Sequence, residues 1–182
     1  MTDRLPPVLI SKEAIEQRVR ELAEQVSADY AGRDLLMVGI LKGAWVFLAD
    51  LVRQMKIPVA VDFMTVSSYG ASTRTSGVVK IVLDLKSPLE NRDVLVVEDI
   101  LDTGLTLKYI VEGLKLRKPR SLKIIALMDK PARRKVDIKA DYVGFTVPDK
   151  FVVGYGADHG ERFRNLPYVG YVEPEEDNNG TG

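Results

Sequence analysis

Val94-Leu95-Val96-Val97 is a run of four apolar residues with no polar alternate, and it leads directly into Glu98 and Asp99. A strand that is apolar on both faces must be covered on both, which predicts the middle of a parallel sheet with helices on either side. The chain continues through Asp102-Thr103-Gly104-Leu105-Thr106 into a helical pattern from Leu107 to Leu116. Open α/β sheets bind ligands at the carboxyl ends of their strands, so this order of strand, small-residue turn and helix predicts a site at the turn. The expected fold class is α/β, with a mostly parallel central sheet flanked by helices.

Two chemistries meet in that stretch. Thr103, Gly104 and Thr106 offer hydroxyls and backbone NH groups at a helix start, where unpaired NH groups and the helix dipole favour an anion such as phosphate. Glu98, Asp99 and Asp102 would repel the same phosphate unless they face hydroxyl groups, a metal ion or a developing cation. A ribose phosphate supplies hydroxyls and recruits a metal, so the combination points to a phosphoribosyl group.

Length and charge narrow the class. A chain of 182 residues suits one well-buried domain, read here as 1–182 with an acidic tail from about 172. Its 26 basic residues balance 26 acidic ones, so no overall field draws it to nucleic acid or a membrane. The absence of cysteine excludes disulfides and a thiol nucleophile. The start MTDRLPP lacks the apolar stretch of a signal peptide, and no apolar run approaches the roughly 20 residues of a membrane span, so a cytoplasmic protein is expected.

Along the chain, Ser11 caps a predicted helix whose apolar positions Ile15, Val19, Leu22, Val26 and Tyr30 recur at three- and four-residue steps, closing at Gly32. Leu35 to Ile40 reads as a buried strand, followed by Leu41-Lys42-Gly43 and a helix from Ala44 to Met55. Strands are expected over Val59–Val66 and Val78–Leu83, joined by SSYGASTRTSG, which by composition alone is a polar hairpin tip. Leu122–Met128, Tyr142–Val147 and Phe151–Val153 complete the strands. From these residues alone, Lys42 and Lys130 read as solvated lysines, Phe151 as core, Asp158 as a turn residue and His159 as a surface histidine.

VLVVEDILDTGLTL closely resembles the phosphoribosyl-pyrophosphate (PRPP) signature of type I phosphoribosyltransferases, in the form found in the hypoxanthine-guanine enzymes. Leu-Lys-Gly after a strand, LMDKPARR, and PDKFVVGYG continuing to Asn165-Leu166 resemble further segments of that family, over about residues 38 to 168. The resemblance implies a single domain with a small hood built from the chain ends and a mobile loop. It implies that Glu98, Asp99, Asp102, Thr103, Gly104, Leu105 and Thr106 hold the ribose phosphate, and that Asp102 is the general base. It assigns Leu41, Lys42, Gly43 and Arg164 to pyrophosphate, with a Leu41–Lys42 peptide that can be cis. Lys130, Phe151, Val152 and Asp158 fall at the purine, and Ser67, Ser68 and Tyr69 on a catalytic lid. Glu98, Asp99 and Asp158 would hold Mg²⁺.

The reaction implied is phosphoribosyl transfer from PRPP to N9 of hypoxanthine or guanine, giving IMP or GMP and pyrophosphate, in a homodimer or homotetramer. A receiver domain of a response regulator shares VLVVED and Lys130-Pro131, but its phospho-acceptor aspartate should close a strand, whereas Asp141 precedes one. A regulatory relative of the same fold that binds RNA wants a basic surface, which the balanced charge does not supply.

Overall fold

The computed structural model describes residues 5–68 and 79–173. Strand β1 (Val8–Ile10) precedes helix α1 (Lys12–Asp29), which begins where the Ser11 hydroxyl accepts from the Ala14 NH at 3.2 Å. Then come β2 (Leu35–Leu41), α2 (Trp45–Gln54), β3 (Ala60–Ser68), β4 (Val79–Leu83) and β5 (Asp93–Leu101). Helix α3 (Leu105–Lys115), β6 (Ser121–Asp129), a 3₁₀ turn (Pro131–Arg133), β7 (Tyr142–Thr146), β8 (Phe151–Val153) and β9 (Val169–Val172) follow.

Six strands form the main sheet in the order β4-β3-β2-β5-β6-β7, parallel throughout except for the antiparallel β3–β4 hairpin. From the central pair the chain leaves in opposite directions: β2 passes through α2 to β3, and β5 passes through α3 to β6. Because such crossovers share one hand, the two helices lie on opposite faces, and the carboxyl ends of β2 and β5 part to leave a crevice.

The alternation of core residues follows from this layering. Leu35, Met37, Leu95 and Val97 pack with Ile15, Val19, Leu22, Phe47 and Leu51 of α1 and α2. Leu36, Val38, Val94 and Val96 pack with Leu107, Ile110 and Leu114 of α3. Both central strands are therefore buried on both faces, which is why neither shows polar alternation.

Several features differ from the sequence reading. Strand β5 does not stop at Val97 but runs to Leu101, because β6 continues beside it and pairs Glu98 with Ala126 and Leu101 with Asp129. Helix α3 starts two residues early, at Leu105, where Gly104 takes a left-handed φ of 82° that turns the chain into the helix. The short strands β1 and β9, unread from the sequence, pair antiparallel and join β8 in a second, three-stranded sheet. Val172, placed in the tail by composition, belongs to β9. This small sheet is the hood made by the chain ends. Among the described residues, no helix is long and apolar enough to cross a membrane.

Candidate active site

The crevice is lined by three strand ends and by the segment after β8, and its residues fall into three groups. At the first, the Leu41–Lys42 peptide is cis, and Gly43 lies so close to Asp99 that a Cβ on it would overlap the Asp99 carboxylate. Gly156 in turn abuts Gly43, since a Cβ on Gly156 would overlap the Gly43 carbonyl oxygen. Glycine is thus required at both positions by space, and the two contacts draw the end of β2, the carboxylate of β5 and the chain after β8 together.

Arg164 closes this group. Its Nη1 donates to the Gly156 carbonyl at 2.8 Å, its Nη2 lies 2.8 Å from Asp158 Oδ1, and its buried Nε has no hydrogen-bond partner among the described residues. Lys42, exposed, reaches Glu161 at 3.1 Å. Burial raises the Asp99 carboxyl to about 6, against hydrogen bonds from backbone NH groups including Ile100; Arg164 lowers it and Asp158 raises it. Burial pushes Glu98 well above the usual carboxylate range, and the Asp99 charge adds to this; its Oε2 is buried without a partner among the described residues.

The second group surrounds the turn from β5 to α3. At the start of α3 the Leu105 NH donates weakly to Thr103 Oγ1 at 3.5 Å, while the NH groups of Thr106 and Leu107 meet no side-chain acceptor among the described residues and are open to an anion, with the Thr103 and Thr106 hydroxyls beside them. Leu105 is exposed at the first helical position and contributes only its backbone there. Asp102 Oδ1 is buried; Arg133 Nε stands 3.3 Å away at an angle that makes no hydrogen bond, and Arg133 also lies 3.7 Å from Asp149.

Lys130, 4% exposed at the end of β6, donates from Nζ to the Lys150 carbonyl at 2.6 Å. The next residue, Phe151, is 52% exposed and so is not core, and His159 meets its ring edge-on at 5.1 Å between centroids. Val152 is buried and paired with Tyr171 of the hood.

Sequence reasoning gave no role to Arg133, Arg134 or Glu161, whereas His159, read as a surface histidine, is exposed. Arg134 donates to the Leu101 and Asp102 carbonyls at 3.2 and 3.0 Å and to the Asp129 carboxylate, tying the ends of β5 and β6 together. Only the cluster of basic residues in LMDKPARR hinted at it, and a basic cluster by itself reads as solvated. Ser67 and Ser68 lie in β3, paired with Lys80 and Val79 of the hairpin; Tyr69 and the side chain of Ser68 fall outside the described residues. Glu98, Asp99 and Asp158 do not form a closed cage: among the described residues no three acidic, His or Cys side chains gather at metal-ligand spacing.

Residues 9–159 match the family model described as a phosphoribosyl transferase domain. The chain is 52% identical to the hypoxanthine-guanine phosphoribosyltransferase of Bacillus subtilis, over 96% of its own length and 97% of that protein's. It is 51% identical over 175 residues to the bifunctional protein TilS/HprT of Listeria monocytogenes, and spans 27% of the length of that longer relative. Among solved structures, a hypoxanthine phosphoribosyltransferase from Staphylococcus aureus superposes with a TM-score of 0.89 at 51% identity, covering 93% of this chain and 92% of that one.

Proposed function

Since this chain belongs to the phosphoribosyl transferase family, we propose that it transfers the 5-phosphoribosyl group of PRPP to N9 of hypoxanthine or guanine, releasing pyrophosphate. The observation that carries the reading is the start of α3, held only by a long Leu105 NH contact to Thr103 and placed directly after Glu98, Asp99 and Asp102, at the point where β2 and β5 diverge. An anion site and a carboxylate cluster on consecutive turns suit a sugar phosphate whose reacting carbon becomes cationic.

In this reading the NH groups of residues 104 to 107 and the hydroxyls of Thr103 and Thr106 bind the 5-phosphate. Glu98 and Asp99 accept hydrogen bonds from the ribose hydroxyls and favour positive charge on the sugar. Lys42 and Arg164 hold the pyrophosphate, with the backbone of Leu41 and Gly43 alongside. Phe151 stacks on the purine, Val152 meets its edge through backbone groups, and Lys130 donates to O6 from ammonium protons not engaged by Lys150. Asp102, with one oxygen free of hydrogen bonds, takes the proton that the base loses at N7. Ser67, Ser68 and Tyr69 belong to the lid that keeps water from the reacting carbon.

The residues fit a magnesium ion. Glu98 and Asp99 present hard oxygens whose ionised forms are disfavoured by burial, Glu98 Oε2 lacks a partner, and Asp158 stands close enough to perturb Asp99. Mg²⁺ is commonly held by one or two carboxylates plus substrate phosphates, which accords with the open arrangement. When bound, it neutralises charge on the departing pyrophosphate.

A cytoplasmic homodimer or homotetramer is part of the proposal; exposed Trp45, Val61 and Phe63 support self-association, which sedimentation would measure. The decisive assay is incubation with PRPP, Mg²⁺ and each purine base in turn. IMP and GMP should form, and a chelator should stop their formation. Salt-dependent RNA binding with no nucleotide formed would favour a regulatory protein of this fold instead.

A further inference from the structure

The two cations assigned to pyrophosphate are already spanned by a carboxylate of the chain itself. Glu161 Oε2 lies 3.1 Å from Lys42 Nζ, and its Oε1 lies 3.6 Å from Arg164 Nη2. The residue is held in place: its NH donates to Asp158 Oδ2 at 2.8 Å, in a turn where Glu161 has a left-handed φ of 63°. Lys42 comes from the β2 loop and Arg164 from the chain after β8, so Glu161 bridges the parts of the site that must accept the leaving group.

We propose that Glu161 is a place-holding carboxylate, which stands between Lys42 and Arg164 in the free site and is displaced when the polyphosphate binds. This rests on the assignment of those two cations to pyrophosphate. A carboxylate brings one charge and two acceptor oxygens, whereas pyrophosphate brings several of each, so the substrate wins the competition at a reduced affinity. Glu161 therefore lowers affinity for PRPP and pyrophosphate alike. As pyrophosphate departs, the carboxylate returns to the cations and hinders rebinding, which matters in enzymes limited by product release.

The size of the effect is bounded by exposure. Lys42 and Glu161 side chains are 65% and 66% exposed, and pairs of that kind shift an equilibrium by about fivefold at most. With the weaker Arg164 contact added, removing the carboxylate should tighten pyrophosphate by roughly three- to tenfold.

The test is calorimetric titration of the full chain with pyrophosphate in the presence of Mg²⁺, comparing wild type, Glu161→Gln and Glu161→Asp at low and high salt. Glu161→Gln should bind more tightly, and the gain should shrink in high salt. Glu161→Asp keeps the charge but is one methylene too short to span both cations, so it should recover most of the gain. A Glu161→Asp protein that binds like wild type would mean that charge acts at a distance without bridging, and would overturn the proposal. So would a Glu161→Gln affinity that is unchanged or weaker. Lys42→Met separates the two levels of inference: it should weaken pyrophosphate, and if it does not, the cation assignment itself fails.

Discussion

The ammonium of Lys130 donates to the carbonyl oxygen of Lys150 at 2.6 Å, so the end of β6 is fastened to the residue immediately before Phe151. One hydrogen bond thus sets the proposed purine-reading cation beside the proposed stacking ring. An ammonium has three donors, and this contact uses one of them.

Lys130→Met keeps much of the buried stem and removes the charge. Hypoxanthine offers an O6 acceptor to the remaining donors, while adenine presents an amino group with nothing to accept. The unpaired ammonium is what handicaps adenine in the wild type, whereas in the variant O6 of hypoxanthine loses a charged donor worth about 1.5–3 kcal/mol, so kcat/KM for hypoxanthine should fall by about ten- to a hundredfold and the handicap of adenine should shrink. Competition assays with both bases check this. An unchanged preference would move base recognition to the backbone near Val152.

Asp102→Asn preserves the shape of the proposed base but cannot accept a proton. Turnover should drop by roughly 10² to 10⁴ while PRPP binding persists, because the proposed phosphate contacts come from Thr103 to Thr106. Single-turnover kinetics beside PRPP titration separate the two effects. Turnover within twofold of wild type would remove Asp102 from the role.

Asp99 supplies a pH test of stability. Its folded carboxyl is raised from 3.8 to about 6, chiefly by burial, so the folded state holds more protons than the unfolded chain between those values. Stability therefore falls as pH rises from about 4 to about 6, and the full cost, on the order of 3 kcal/mol, is present above that range. Asp99→Asn should raise resistance to urea at pH 8 and give little gain near pH 4, while weakening PRPP binding. A gain independent of pH would show that ionisation of Asp99 is not its source.

Gly43→Ala and Gly113→Ala form a contrasting pair. The first puts a methyl into the Asp99 carboxylate and should cost roughly 10²-fold in kcat/KM by displacing it. The second points into open space on α3 and should stabilise the fold by about 0.5–1 kcal/mol with activity intact. Equal activity in the two variants would show that the contact of Gly43 with Asp99 does not position the carboxylate.

The central layer was legible in the sequence, as was the strand end to which the proposed site is assigned. Val94–Val97 had to be buried on both faces because nothing polar interrupts it, Ser11 had to start a helix, and Gly104 had to mark a turn into another. The carboxylates and hydroxyls from Glu98 to Thr106 were legible because their chemistry is local, a few residues in a row at one strand end. The roles proposed for Lys42, Lys130, Phe151, Asp158 and Arg164 came from family resemblance, since each reads in isolation as an ordinary surface or core residue.

Tertiary structure decided what depends on contacts between distant segments. β5 ran four residues past Val97 because β6 paired with it, and β1 and β9 formed because each found the other across most of the chain. The bond from Lys130 to Lys150, the packing of Gly156 on Gly43, and the bridge of Glu161 between Lys42 and Arg164 have no periodicity and no fixed spacing. Such contacts arise only when separate strand ends are brought to one edge of the sheet. Burial there removes water from Glu98 and Asp99, and raises carboxyl groups that an isolated peptide would leave ionised.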